Sequence, residues 1–151
     1  MGKCYNVVLD SNSEYISFLS NSANSYIVNW DALMPDKAYK VSFSFITSTE
    51  VATDVNLMGI MVDLGCNNTF VSNDAQSMST SNFLWFAELK DSTNFHYYYA
   101  NQTTNPPIYI SRRPSTSPLM VQLTNGVNCL SAYSTPYVNM YILTLHFEEI
   151  D

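Results

Sequence analysis

Two histidines, three cysteines, a pair of adjacent arginines and a scatter of carboxylates are the residues of this chain with chemistry to offer. His96 lies in Phe95-His96-Tyr97-Tyr98-Tyr99, and His146 on the outward phase of a C-terminal alternating run. Either could serve as a general base, yet neither sits beside a nucleophile signature such as GxSxG, and both read as strand histidines hydrogen-bonded at a surface or interface. Asp54, Asp63 and Asp74 could supply oxygen ligands to a cation, but their spacing matches no EF-hand loop. Cys4, Cys66 and Cys129 are far apart, odd in number, and lack both a CxxC pair and a neighbouring histidine. That pattern points away from zinc and toward free thiols in a reducing compartment. Glycines at only 2, 59, 65 and 126 leave no phosphate-cradling loop. No catalytic residue, metal or cofactor is expected.

Arg112 and Arg113 are the only arginines, set in Asn105–Gly126 with four of the six prolines. Two guanidiniums at a loop mouth should pair with carboxylates, on this chain or on a neighbour. Anion binding is the sharper alternative. If the arginines form a polar contact in an interface, changing both to alanine should impair assembly more than folding.

The rest of the composition bears on partners. A net charge of −7 and six basic residues cannot form a phosphate-tracking groove, so direct nucleic-acid binding is not expected. Charged residues are only 13% of the chain, about half the usual share. A surface of amides and hydroxyls is easier to desolvate than a charged one, which suits a protein covered by neighbours. Aromatic residues make up 14%, with eleven tyrosines. Tyr97-Tyr98-Tyr99 on one strand sends rings to both faces, so at least one must leave the core. Tyr97, Tyr98 and Trp85 are therefore interface candidates beside the arginines. Trp85 and Tyr98 are also the rings a sugar could stack on, although core packing suits Trp85 better.

These residues need elements to position them. Tyr39–Thr47 alternates cleanly, with Tyr39, Val41, Phe43 and Phe45 on one face and Lys40, Ser42 and Ser44 on the other. Val138–Phe147 alternates too and should be central in its sheet. Asn56–Leu64 is continuously apolar, as a strand covered on both faces would be. Further strands are predicted at Tyr5–Leu9, Tyr15–Leu19, Tyr26–Trp30, Phe83–Leu89, Phe95–Ala100, Ile108–Ile110 and Leu119–Leu123. Asp31 should cap one helical turn that Pro35 ends. Asn125-Gly126 is the strongest hairpin signal, Val127–Tyr133 is ambiguous, and Cys66–Asn82 reads as a long loop. No helical period persists. The pattern predicts an all-β chain: a two-sheet antiparallel β-sandwich of about eight strands in one domain over 1–151, with 1–24 as a peripheral N-terminal arm. No signal peptide or membrane span is read from the sequence, so the chain is expected not to be secreted and its two sequons to stay unused.

Four segments carry a likeness: Tyr26–Trp30, Ala38–Phe45, Met61–Gly65, and Pro107–Gly126 with its RRPS and PLMVQL core, closed by Leu143–Glu148. Together they resemble the single-jelly-roll penton and minor capsid proteins of large double-stranded DNA viruses of the nucleocytoplasmic group. The resemblance implies an eight-stranded jelly roll without catalysis or cofactor, working through assembly. Its implied partners are the major capsid protein and other capsid proteins, with homo-oligomerisation, as a pentamer if it is a penton. Its implied place is the virion, assembled in host cytoplasm or nucleus. The competing readings are a carbohydrate- or receptor-binding jelly roll, and a cupin-like metal enzyme, for which two histidines are too few.

Overall fold

A computed structural model describes residues 2–11, 16–20, 23–47, 57–64, 83–91, 96–100, 105–115, 118–125, 131–132 and 141–150. Their strands are β1 (Cys4–Asp10), β2 (Ile16–Ser20), β3 (Ala23–Tyr26), β4 (Tyr39–Thr47), β5 (Leu57–Asp63), β6 (Phe83–Asp91), β7 (His96–Ala100), β8 (Ile108–Ile110), β9 (Leu119–Asn125), β10 (Ser131–Ala132) and β11 (Tyr141–Glu149). One helical turn, α1 (Trp30–Leu33), precedes β4. The protein is all-β. Its antiparallel sheet runs β1-β11-β4-β7-β6-β5-β9-β3-β2 in a nearly closed, barrel-like course, with β8 added to β4 and β10 to β9.

Alternation explains the centre of this sheet. Tyr39, Val41, Phe43 and Phe45 of β4 are buried, and so are Tyr141, Leu143, Leu145 and Phe147 of β11. The two strands pair along nine positions, Tyr39↔Glu149 to Thr47↔Tyr141, so their apolar phases coincide on the inner face. Burying each such side chain contributes about 1.5–3 kcal/mol. β11 is flanked by β1 and β4, an interior place as expected. β5 lies between β6 and β9, and Gly59 to Val62 are buried on both of its faces.

Phe43 of β4 and Trp85 of β6 stack across the interior with ring centroids 4.0 Å apart. Trp30 and Tyr39 both meet Phe147 edge-on. Where β3 ends and β11 begins, the Tyr26 hydroxyl donates to the Tyr141 hydroxyl at 2.8 Å, and the Tyr141 amide donates to Ser11 Oγ at 2.7 Å. The buried phenols therefore satisfy one another.

Several boundaries differ from the sequence reading. β3 is Ala23–Tyr26 rather than Tyr26–Trp30, because Asn29 caps the helical turn, its Oδ1 accepting from the Ala32 amide at 3.3 Å. The expected cap, Asp31, is instead in the first turn. Trp30 packs inward from that turn, which local propensity could not foretell. Residues 4–10 are no peripheral arm: β1 pairs with β11 at seven positions and buries Val7 and Leu9. β11 runs on to Glu149. Asn125, expected in a hairpin turn with Gly126, instead ends β9 and pairs with Ser131 of β10, while 126–130 and the expected loop at 66–82 lie outside the described residues.

Candidate functional site

Arg112 and Arg113 are the residues the sequence singles out. Pro106 and Pro107 before β8 and Pro114 after it limit that strand to three residues, paired with Tyr39–Val41. This brings Arg112 and Arg113 over α1 and the start of β4. Arg112 grips Asp36 through two nitrogens, Nη2 to Oδ2 at 2.8 Å and Nε to Oδ1 at 3.4 Å. Arg113 donates to the Met34 carbonyl at 3.1 Å and pairs with Asp31 at 2.5 Å. The Met34 carbonyl lies just past the helical turn, where carbonyls have no helical partner. Both guanidiniums are thus engaged within the chain.

The same corner continues to the C-terminal strand. Lys37 Nζ lies 3.2 Å from Glu149 Oε2, the Tyr5 hydroxyl donates to Glu149 Oε1 at 3.1 Å, and the Tyr39 hydroxyl donates to the Pro35 carbonyl at 2.6 Å. The Arg112 hydrogen bond holds the Asp36 carboxyl below its ordinary range. Burial raises Glu149, but hydrogen bonds from Lys37 and Tyr5 outweigh it, and the net shift is downward. Burial, then the Tyr5 and Glu149 charges, push the Tyr39 phenol up to about 12. The chemistry here is structural: charges neutralise each other and tie α1, β8 and β11 together.

Asn105 is a second device that the sequence did not flag. Its Oδ1 accepts from the Phe86 amide at 2.9 Å, and its Nδ2 donates to the Phe86 carbonyl at 3.0 Å. One side-chain amide thereby imitates a strand partner. β7 pairs with β6 only from Glu88↔Tyr99 to Asp91↔His96, and its last residues cross to β4. Asn105 takes over the edge of β6 where β7 leaves it. An asparagine before Pro-Pro was the only clue.

Trp85 corrects an expectation. It is 2% exposed and stacked on Phe43, so it can be neither an interface anchor nor a sugar platform. The side chains of His96, Tyr97 and Tyr98, and the whole of Asp54, Asp74, Cys66 and Cys129, lie outside the described residues. Asp63 ends β5 and Cys4 is an exposed free thiol. His146 Nδ1 meets Asn6 Oδ1 at 2.5 Å across the β1·β11 ladder, the surface hydrogen bond its position suggested. Among the described residues no group of three or more metal-ligating side chains assembles, and no helix is long and apolar enough to cross a membrane.

The register assembles a different surface. Asp10↔Ile142, Ile142↔Ile46, Ile46↔Tyr99 and Tyr99↔Glu88 form one row across five strands, on the outward face. Ile142, Ile46 and Tyr99 are each exposed, and Val8, two residues before Asp10 on the same face, is 61% exposed. Strands lie about 4.8 Å apart, so the three central side chains form an apolar strip about 10 Å long, bounded by a carboxylate at each end. Tyr109 is exposed further along this face, opposite Lys40. The signal was present in the sequence as an isoleucine in the polar phase of each alternating strand, at 46 and 142. Tyr99 is the ring of the tyrosine triplet seen to leave the core. No family, curated protein or solved structure matches the chain.

Proposed function

We propose that this chain is a single jelly roll that serves as a structural virion protein, a minor capsid or penton subunit packing against the major capsid protein. The reading of the fold rests on pairing order. Taking β1, β3, β4, β5, β6, β8, β9 and β11 as the principal strands, the first pairs with the last, β1·β11, and the second with the seventh, β3·β9. The third pairs with the sixth, β4·β8, and the fourth with the fifth, β5·β6. That is the pattern of one long hairpin rolled over on itself, which the ladders β11·β4 and β9·β5 then hold closed. It divides the strands into β1-β11-β4-β8 and β3-β9-β5-β6, with Phe43 and Trp85 meeting between them. On this reading β7, pairing with both β6 and β4, bridges the two sheets along one side.

Jelly rolls serve capsids, lectins and enzymes alike, so function must come from the surface. The observation that carries it is the outward row Ile142–Ile46–Tyr99, with Val8 beside it. Apolar groups on an exposed sheet face gain by being covered, at about 25 cal/mol per Å² removed from water. The sparse charge of the chain keeps the desolvation cost of covering it low. Such a surface binds other proteins.

Mass spectrometry of gradient-purified particles of the encoding virus tests the assignment. The chain should be present at a fixed ratio to the major capsid protein, and a particle map should show this sheet face or its edges against neighbours. Absence from the particles overturns the reading.

A further inference from the structure

The sheet has two ends, and they are built differently. β2, at one end, is five residues long and its pairing with β3 slips between Phe18 and Ser20. Short, irregular edges are how proteins discourage strand addition. β1, at the other end, keeps one register with β11 over seven residues and contains no proline. Its six residues Cys4–Leu9 carry no charge.

Hydrogen-bond parity shows what this edge offers. The Glu149 amide donates to the Lys3 carbonyl and the Ser11 amide to the Tyr141 carbonyl, both pairs in register. In an antiparallel ladder such pairs alternate, so residues 3, 5, 7, 9 and 11 spend their main-chain groups on β11. The N–H and C=O groups of Cys4, Asn6 and Val8 therefore point away from it, and among the described residues no strand pairs with them.

We infer that two copies of this chain pair antiparallel through their β1 edges, around a two-fold axis at Asn6. The inference rests on the assembly role proposed above and names one of its contacts. A two-fold perpendicular to the sheet keeps inner faces with inner faces, so only partners of equal parity can face each other. Centred on Asn6, Cys4 faces Val8 of the partner subunit, and each of these facing pairs exchanges two main-chain hydrogen bonds, as does Asn6 with its counterpart. On the other face Tyr5 meets Val7 of the partner subunit, an aromatic with a β-branched residue, twice over. Lys3 and Asp10 fall outside the paired segment, so two chains of net charge −7 meet along an uncharged seam. Val8 then carries the exposed apolar face of one subunit toward that of the other. A five-residue paired segment covers less than the about 800 Å² per partner of a stable complex, so the dimer is weak and reversible until other contacts join it.

Sedimentation velocity on the purified chain, from about 10 μM to about 1 mM, should show a reversible monomer–dimer equilibrium. Val8→Pro removes an outward N–H and leaves the β11 ladder intact, as proline is tolerated on the open side of an edge strand. It should weaken the dimer by about tenfold or more with an unchanged circular dichroism spectrum, whereas Val8→Thr should preserve it. Amide exchange should slow at Cys4, Asn6 and Val8 as concentration rises, with Tyr5, Val7 and Leu9 protected throughout. A monomer at every concentration, a dimer indifferent to Val8→Pro, or an edge that captures only a strand of another protein overturns the inference. A monomer whose chain is nevertheless present in particles removes this contact alone; a dimer absent from particles removes the capsid role.

Discussion

The corner around Arg112 and the outward face of β1, β11, β4 and β7 invert the usual division of labour. At the corner, the charged residues that look functional in sequence are occupied with one another: Arg112 with Asp36, Arg113 with Asp31 and the Met34 carbonyl, Lys37 with Glu149. On the face, Ile46, Ile142, Tyr99 and Val8 are 38–61% exposed. A charged pair satisfied inside the chain has little left for a partner, while an apolar strip is stabilised only when something covers it. Here the polar motif is structural, and the plain aliphatic residues are the ones to test for function.

The comparison can be broken first at Asn105, in the same proline-bounded stretch as the arginines. Asn105→Ala leaves the amide and carbonyl of Phe86 without their side-chain partner and should cost about 2–3 kcal/mol, read as a fall in the urea midpoint. Association with the proposed capsid partners, measured under folding conditions, should survive. Next, Arg113→Ala should cost about 1 kcal/mol, because its side chain is 27% exposed and holds a carbonyl at the end of α1. Arg112→Ala, on a side chain 77% exposed, should lower the midpoint by less than Arg113→Ala does. Equal losses from the two would show that the corner is not organised around Arg113.

On the face, Ile46→Thr with Ile142→Thr keeps two β-branched strand residues and should move stability by no more than about 0.5 kcal/mol. If the proposed capsid role holds, co-sedimentation with the major capsid protein should nevertheless drop sharply. Unchanged co-sedimentation would return the search for a contact surface to the corner. The smallest effect is on acid sensitivity. Asp36 and Glu149 have carboxyls held below their ordinary range, so their stabilisation is complete above the unfolded values and drains away as pH falls through the folded ones. Stability should therefore decline on the acid side of the carboxylate range, and Asp36→Asn with Glu149→Gln should flatten that decline in urea midpoints taken at successive pH values.

Much of the architecture was legible from the residues alone. The alternation of Tyr39–Thr47 and Leu143–Phe147 set which side chains face inward, because a period of two is a local property of an extended chain. Continuous apolarity marked β5 as covered on both faces, and paired prolines kept β8 short. The same alternation carried the outward strip, written as isoleucines in the polar phase.

What only the tertiary structure decided is who meets whom. That Cys4–Asp10 belongs to the sheet, that Asn105 replaces a strand beside Phe86, and that the arginines find Asp31 and Asp36 all depend on closing long stretches of chain. A local pattern states a strand's phase. It carries no term for its neighbour, because that choice is made by burial summed over segments more than seventy residues apart at the corner and farther still between β1 and β11.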